Sequence, residues 1–292
     1  MCSSDLEKIF RGYASMGPYR VPNIYVDSYG VYTNTLPASA FRGYGIPQVA
    51  WAHEQQMDQI AEALGMDPLA LRLKNVFRPG DAFSTGEILA EDLHYTELLE
   101  DAASHIGWAW PPAPERSGSR VRGKGLAAII KGTASYGANA VVKLNADGSL
   151  NVLTSTVEMG QGALTVLAQI AAHEATLPLG VVRVSTPDTA NTPFDQMTAA
   201  SRSTNFMGRA IRRAVKSVKQ QLIELAASQL EAAGGDLDIE DGAVFVKGSP
   251  DRRQTFAQLV STAKVGSLVG SGHEPVKVKL DVETGQEIGR AH

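Results

Sequence analysis

Three short turns, each directly before a predicted helix, constrain this chain more than any other feature. We name them the arginine turn (residues 40–48), the glycine turn (residues 157–163) and the hydroxyl turn (residues 198–204). Glycines and small side chains let the main chain come close to a ligand, and a helix N-terminus offers unpaired N–H groups to an anion. Three such turns in one chain predict a large anionic ligand that is bound jointly by distant loops.

The order of helical and strand patterns predicts an α+β fold class, with mixed sheets and helices and antiparallel pairs. Strict alternation of strand and helix, as in a dinucleotide-binding fold, is absent from the sequence. Asn145-Ala146-Asp147-Gly148 and Asp241-Gly242 are hairpin signals. Strands are predicted at 24–26, 29–33, 126–130, 140–144, 150–154 and 181–184, and helices at 47–64, from 67, 96–107, 163–176 and 205–233.

A polar, proline-rich stretch over residues 111–124 predicts a linker between two domains. The first domain then covers residues 7–110 and the second covers residues 125–287. Residues 2–6 and 288–292 can be encoded by reverse-complementary DNA strings, which is what read-through into a sequencing adapter leaves at both ends of an insert. We therefore expect these ends to be translated adapter; the alternative is a pair of ordinary termini.

Composition excludes several classes of function. A formal net charge of −4 over 292 residues gives no electrostatic footprint for nucleic acid or an anionic membrane. The single cysteine, Cys2, excludes an internal disulfide and a Cys-rich zinc or iron–sulfur site in this chain. No apolar run approaches the roughly 20 residues that span a bilayer. We expect a cytoplasmic protein without nucleic-acid or membrane partners.

The usual catalytic motifs are also missing. The six histidines lack the spacing of a helical zinc site, and no Gly-x-Ser-x-Gly nucleophile elbow occurs. The glycine pairs Gly43/Gly45 and Gly160/Gly162 lack the flanks of a dinucleotide or P-loop fingerprint. Each turn also has a plainer interpretation. The glycine turn could be a tight connection with an exposed Gln161, and the hydroxyl turn a helix cap with a solvated Arg202.

Read together, the three turns resemble motifs of one family. Phe41-Arg42-Gly43-Tyr44-Gly45, Glu158-Met159-Gly160-Gln161-Gly162 and Thr198-Ala199-Ala200-Ser201-Arg202-Ser203-Thr204 are similar, in this order, to blocks of the molybdopterin-binding large subunit of the xanthine dehydrogenase and aldehyde oxidase family. The resemblance covers about residues 18–287. It implies a middle fragment with two incomplete molybdenum-cofactor-binding subdomains, the C-terminal part of the first and the N-terminal part of the second.

The resemblance also implies a chemistry. The family is expected to bind molybdenum through molybdopterin, in bacteria often as the cytosine dinucleotide, without metal ligands from the protein. It is expected to oxidise a purine, N-heterocycle or aldehyde with water-derived oxygen, with a mild preference here for the first two. Iron–sulfur clusters and FAD are expected on partner subunits, an iron–sulfur small subunit and an FAD-binding medium subunit, beside the missing parts of the large subunit. Alternatives are a non-catalytic cofactor-scaffold or assembly module and an aromatic acyl-CoA reductase of the same family.

Residue roles follow from the same resemblance. Arg42 and Gly43 would meet the metal-ligand side of the cofactor, Arg202 would pair with a phosphate, and Phe41 or Tyr44 would face the substrate. No catalytic residue is assigned, because the family's Gly-Val-Gly-Glu block with its general base is absent, as is its Gly-Gly-Phe-Gly-Gly block, and the chain alone is expected to be inactive. The predicted cofactor-binding residues are Phe41, Arg42, Gly43, Gly160, Gln161, Gly162, Ala199, Ala200, Ser201, Arg202, Ser203 and Thr204.

Two glutamates in the chain, Glu158 and Glu274, are not assigned the role of that general base, because neither lies in the matching sequence context. We further predict that folding brings Gly43, Gln161 and Ser201 onto one concave surface.

Overall fold

The structure, a computed structural model, divides the chain into two compact units. The first unit is Met1–Gly132 with Lys277–His292, and the second unit is Thr133–Val276. Among the described residues, no helix is both long and apolar enough to cross a membrane. The structure describes residues 14–27, 29, 31–35, 43, 45–84, 86, 88–112, 115–132, 137–275, 279–280 and 287–288.

The described part of the first unit contains three α-helices, and all three were predicted. Helix α1 is Ile46–Leu64, α2 is Pro68–Asn75 and α3 is Tyr95–His105. Gly65 ends α1 in the left-handed conformation at φ 60°, which a residue without a Cβ adopts at little cost. Asp67 caps α2, since its side chain accepts a hydrogen bond from the backbone N–H of Leu69 at 2.9 Å.

The strands predicted at 24–26, 29–33 and 126–130 are wrong. No described residue in these ranges lies in a strand. Tyr25 and Tyr32 are 87% and 88% exposed, so the alternating aromatic pattern does not bury one face against a sheet in this chain. Alternation predicts a half-buried strand only where a neighbouring strand offers hydrogen-bonding partners.

Residues 115–132 also differ from the predicted linker and second domain. Strands β1 (Glu115–Ser117) and β2 (Arg120–Arg122) form a short antiparallel hairpin inside the predicted linker. Ala128 and Ile129 then belong to the first unit: the Ala128 N–H donates to Glu54 at 2.9 Å, and the Tyr95 hydroxyl donates to the Ile129 carbonyl at 2.9 Å. Burial raises the pKa of Tyr95 to about 12.

A buried ionic cluster holds this unit together. The Glu54 carboxylate accepts hydrogen bonds from Arg72 Nε at 2.9 Å and from the Tyr19 hydroxyl at 2.5 Å. Arg72 also pairs with Asp58 at 2.8 Å. Burial, followed by the hydrogen bond to Glu54, raises the pKa of Tyr19. Sequence patterns did not predict this cluster, because its members come from separate elements.

The described part of the second unit contains two sheets and three α-helices. The strands are β3 (Ala138–Asn145), β4 (Leu150–Leu153), β5 (Val182–Val184), β6 (Leu237–Glu240), β7 (Ala243–Val246), β8 (Ser249–Thr255) and β9 (Ser267–Glu274), and the helices are α4 (Ala163–Ala175), α5 (Gly208–Gln229) and α6 (Phe256–Ala263). One sheet is mixed and has four strands in the order β5-β4-β3-β9, and the other is antiparallel with the order β6-β7-β8. This arrangement, with the helices of both units, confirms the α+β fold class. Two further short strands, β10 (Lys279–Leu280) and β11 (Glu287–Ile288), pair in the first unit.

Helix α5 begins later and ends earlier than the predicted helix at 205–233. One turn of π-helix, Ser203–Met207, precedes it, and Leu230 ends it. Its apolar stripe, which includes Ile211, Val215, Val218 and Leu222, is buried in the main core of the unit. The 3.6-residue spacing of that stripe is the reason why the sequence predicted the helix itself.

Strand directions decide which loops meet. Strands β4 and β5 are parallel, with Leu150 opposite Val182 and Val152 opposite Val184. The residues after β4 and those after β5 therefore leave the sheet at the same edge, which we call the site edge. Strand β3 runs antiparallel to both β4 and β9, so Ala138 at its start and Glu274 at the end of β9 also lie at the site edge.

Two glycines let α5 lie unusually close to β9. A Cβ atom on Gly272 would lie 1.9 Å from the carbonyl oxygen of Ala210, and one on Gly270 would lie 2.2 Å from the carbonyl oxygen of Ala214. Neither neighbour is a flexible side chain, so helix and strand would have to separate to accept any larger residue. This contact fixes the start of α5 against the site edge.

Gly272→Ala is expected to destabilise the chain by about 3 kcal/mol, the upper range for overpacked cores, because its methyl group would meet the backbone of α5. Gly180→Ala is the matched control, since no described heavy atom lies within 4 Å of its Cβ position, and it should change stability by less than about 0.5 kcal/mol. Urea unfolding of the three proteins checks this. Equal midpoints for Gly272→Ala and the wild type would contradict the close contact.

Candidate functional site

The site edge brings together two of the three turns that the sequence singled out. The glycine turn follows β4, and the hydroxyl turn lies in the long loop after β5. The backbone N–H of Val157 donates to Thr198 Oγ1 at 2.8 Å, which joins the two turns directly. Ser155 Oγ adds a second link, donating to the Pro193 carbonyl at 2.5 Å.

The glycine turn has an open backbone surface. Gly160 and Gly162 have φ angles of 93° and 78°, a region that favours glycine. No described heavy atom lies within 4 Å of the position that a Cβ would take on either residue. A ligand can therefore approach the main chain at both positions. The approach of a cofactor to these two glycines stays a prediction.

Gln161, by contrast, uses its carboxamide inside the turn. Its Oε1 accepts a hydrogen bond from the Met159 N–H at 2.5 Å, and its Nε2 donates to the Val157 carbonyl at 2.9 Å. The side chain thus braces the turn from within. The plainer interpretation, an exposed glutamine on a tight turn, does not describe it.

Glu158 occupies the N-terminus of α4, where the sequence predicted open N–H groups. Its Oε1 accepts from the N–H groups of Gly160 and Gly162 at 2.8 and 2.9 Å, and its Oε2 accepts from Leu164 at 3.1 Å. These backbone hydrogen bonds, that from Gly162 foremost, lower the pKa of the Glu158 carboxyl. The chain's own carboxylate thus takes the helix end that suited a phosphate.

The hydroxyl turn is strained and exposed in its middle. Ala200 and Ser201 have φ angles of 53° and 61°, the left-handed region that residues with a Cβ rarely adopt. Ala199, Ser201 and Thr204 are exposed, whereas Ala200 is half-buried. Small side chains and hydroxyls therefore face outward along the site edge. Ser203, half-buried, begins the π-helical turn that leads into α5.

Arg202 is fully buried, which corrects the phosphate contact expected of its guanidinium. Its Nη1 donates to Asp195 Oδ1 at 2.6 Å and to the Met197 carbonyl at 2.7 Å, and its Nη2 donates to the Gly137 carbonyl at 2.7 Å. The Asp195 side chain is buried as well. The guanidinium therefore ties the hydroxyl turn to the start of β3. Sequence reasoning missed Asp195, because no local spacing links it to the motif.

Glu274 lies at the same edge and is also engaged. Its carboxylate, 1% exposed, pairs with Arg213 at 2.7 Å and with Arg209 at 3.6 Å. These ion pairs hold the end of β9 to α5. Within the described ranges, no group of three or more His, Cys, Asp or Glu side chains could hold a metal ion.

The arginine turn belongs to the first unit. Gly43 has a φ angle of 107°, and a Cβ there would lie 2.7 Å from Pro47 Cδ, so only glycine fits before α1. Phe41, Arg42 and Tyr44 lie outside the described residues. A common concave surface that joins Gly43 to Gln161 and Ser201 therefore stays a prediction.

Comparison with known families bears directly on this geometry. Two models of the molybdopterin cofactor-binding domain match the chain, one over residues 101–289 and the other over residues 4–76. The chain belongs to the molybdopterin cofactor-binding family. The first match includes the glycine and hydroxyl turns, and the second includes the arginine turn, so the family predicted from the three motifs is confirmed.

Similar proteins carry this family's domains within longer chains. The xanthine dehydrogenase molybdenum-binding subunit of Escherichia coli O157:H7 is 36% identical over 228 residues, which cover 75% of this chain and 30% of that protein. Aldehyde oxidoreductase of Megalodesulfovibrio gigas is 37% identical over 208 residues, 68% of this chain and 23% of that protein. The chain thus spans less than a third of these relatives.

A solved structure supports the fold. Quinoline 2-oxidoreductase from Pseudomonas putida 86 superimposes with a TM-score of 0.78 at 24% identity, over 97% of this chain and 41% of that one. At this identity the likeness concerns the fold alone. It agrees with the mixed sheets and helices described above.

Arg202→Ala is expected to cost about 3–5 kcal/mol of unfolding free energy, because it leaves the buried carboxylate of Asp195 without its partner. Arg212→Ala is the control: Arg212 pairs with Glu174 at 2.8 Å but is 56% exposed, so its loss should cost less than about 1 kcal/mol. Denaturant titration of both variants measures the difference. If both variants lost a similarly small amount of unfolding free energy, Arg202 would not form the buried ion pair with Asp195.

The Glu158 carboxyl is expected to titrate below the ordinary range of a glutamate, because backbone N–H groups favour its charged form. Its contribution to stability is then present above the ordinary pKa and lost as the pH falls through the lowered pKa. NMR titration of ¹³C-labelled glutamate side chains measures it, with Glu158→Gln assigning the resonance. Titration at the ordinary pKa would show that the carboxylate is not bound to the turn.

Proposed function

We propose that this chain forms part of the molybdenum-binding large subunit of a hydroxylase or dehydrogenase. The observation that carries the proposal is the meeting of the glycine and hydroxyl turns at the site edge, joined by the hydrogen bond from the Val157 N–H to Thr198 Oγ1. The family match independently assigns both turns to a molybdopterin cofactor-binding domain. Function here follows from the site, because the fold alone would not specify it.

The donor set at the site edge fits an anionic pterin cofactor. Gly160 and Gly162 leave space above their backbone, and Ala199 is small and exposed. Ser201, Ser203 and Thr204 supply hydroxyl groups, which donate well to phosphate oxygens. No metal cluster of carboxylates, histidines or cysteines occurs among the described residues, and a metal that is held through the pterin requires none.

The family resemblance implies a role for the predicted residues at the site edge. Gly160, Gln161 and Gly162 would form the surface against which the cofactor packs, with Gln161 bracing the turn. Ala199 and Ala200 would line the metal pocket with backbone and methyl groups. Ser201, Ser203 and Thr204 would hold the phosphate or nucleotide end.

The arginine turn completes the assignment in the first unit. Arg42 and Gly43 would meet the metal-ligand side of the cofactor, and Phe41 or Tyr44 would face the substrate. When bound, the cofactor supplies the redox chemistry that oxidises an electron-poor carbon with water-derived oxygen. The residues of this chain bind and orient that group and its substrate. The general base belongs to a block that this sequence lacks.

The substrate class is a purine, an N-heterocycle or an aldehyde. The names of the two relatives reported above mention xanthine and aldehyde, which fall within that range. We further propose the cytosine dinucleotide form of the cofactor, a cytoplasmic location, and electron transfer to an iron–sulfur small subunit and an FAD-binding medium subunit. The chain alone would be inactive, since it spans 30% of the matched large subunit.

Ala199→Trp in the complete large subunit is expected to abolish most cofactor binding, because an indole would fill the space beside the glycine turn. Ala199 is exposed and its φ is not positive, so the fold should tolerate the change. The measurement is the amount of molybdenum, by mass spectrometry, and of pterin, by fluorescence, that is bound per folded subunit.

Ala233→Trp is the matched control, an exposed alanine beyond the C-terminal end of α5. A helix of 22 residues is about 33 Å long, which separates this position from the site edge. The control should retain wild-type molybdenum. A wild-type subunit without molybdenum, or an Ala199→Trp variant with a full complement, would refute the proposed function.

A further inference from the structure

Glu158 stands apart from the residues whose roles follow from the family. Its carboxylate accepts hydrogen bonds from Gly160, Gly162 and Leu164 at 2.8, 2.9 and 3.1 Å. Two of these donors are the glycines that were expected to approach the cofactor. The side chain is exposed, yet both its oxygens are engaged by the backbone of its own turn.

Two opposite consequences could follow from this contact. The carboxylate could compete with a cofactor phosphate for the N-terminus of α4, since both are anions that suit the positive end of a helix. Alternatively, it could complete the site by neutralising that helix end and fixing the glycine turn in one conformation. The two possibilities predict opposite effects when the carboxylate is removed.

The contacts around Glu158 favour the second possibility, in which the carboxylate completes the site. Gln161 adds two hydrogen bonds inside the same turn, to the Met159 N–H and the Val157 carbonyl. Val157 is in turn bonded to Thr198 of the hydroxyl turn. These internal hydrogen bonds restrict the conformation of the turn, and residues that contact a ligand are oriented by such supporting contacts.

We propose that Glu158 is a positioning residue that fills the N-terminus of α4, fixes the glycine turn beside the hydroxyl turn, and excludes the cofactor phosphate from that helix end. The phosphate is then bound by the hydroxyl turn, through Ser201, Ser203 and Thr204. The inference rests on the proposed function, because it concerns how the same site holds its cofactor.

The test is the rate at which the folded holoenzyme loses its cofactor. Glu158→Gln keeps the length and one acceptor oxygen but removes the charge, and Glu158→Ala removes both. We expect Glu158→Ala to release molybdenum and pterin about tenfold faster than the wild type, which is the lower end of the effect of removing a residue that supports a ligand-binding site. The release rate of Glu158→Gln should lie between the two. The rates are measured by dialysis well below the unfolding transition.

Asp147→Asn is the matched control. Asp147 is also an exposed carboxylate that accepts hydrogen bonds in a turn, from the Ser149 N–H at 2.9 Å and hydroxyl at 2.6 Å. It lies in the β3–β4 hairpin, at the opposite end of the sheet from the site edge. This variant should lose cofactor at the wild-type rate. If removing any turn carboxylate had a general effect, cofactor loss would instead be faster in both the Glu158 and the Asp147 variants.

The outcomes separate this inference from the proposed function. Slower cofactor loss in Glu158→Ala would support competition with phosphate and overturn the proposal, and an unchanged rate would overturn it as well. If the wild-type subunit holds no molybdenum, the proposed function fails. Amide hydrogen exchange at Gly160, Gly162 and Leu164 then still tests whether Glu158 fixes the glycine turn. These amides should exchange faster in Glu158→Gln than in the wild type, and equal exchange rates would contradict the proposal.

Discussion

The ion pair between Arg202 and Asp195 is the interaction on which the candidate site depends. The guanidinium of Arg202 is fully buried. It donates hydrogen bonds to the carboxylate of Asp195 and to the carbonyls of Met197 and of Gly137, the residue before β3. A buried charge is tolerated only when it is paired and hydrogen-bonded, so this geometry leaves the loop little freedom. Ala200 and Ser201, directly before Arg202, have the left-handed conformation.

The charged residue of the glycine turn and that of the hydroxyl turn thus make their hydrogen bonds within the protein. Arg202 ties the hydroxyl turn to the sheet, and Glu158 closes the helix end beside the glycine turn. In the proposed site, a cofactor would then meet a surface of glycine backbone, methyl groups and hydroxyls. Such a surface discriminates by shape and hydrogen bonding, because its own charges are already compensated. A large, rigid pterin suits that kind of recognition, since many short contacts can form at once.

The sequence predicted the parts of the fold that depend on local patterns. Helix α1, the hairpin at Gly148 and helix α5 follow from apolar spacing and turn residues. The predicted strands around Tyr25 and Tyr32 were wrong, because a strand needs a neighbour and alternation alone does not supply one. Segment 125–132 was misplaced for a related reason: its contacts are with Glu54 and Tyr95, far away in sequence.

In the candidate site, too, the features with a local sequence motif could be predicted, and those that depend on contacts with other segments could not. The family and the location of the glycine and hydroxyl turns could be predicted from motifs, whereas the partners of Arg202 and Glu158 could not. Gly137 lies 65 residues before Arg202, and Asp195, although it lies only seven residues before Arg202, belongs to a loop without a periodic pattern.

An experimental structure of the complete large subunit with its cofactor tests this account most directly. The predicted result is a pterin packed on Gly160 and Gly162, with its phosphate on the hydroxyls of the hydroxyl turn and Arg202 still bonded to Asp195. A cofactor bound away from the site edge, or a guanidinium of Arg202 turned from Asp195 toward the phosphate, would contradict it.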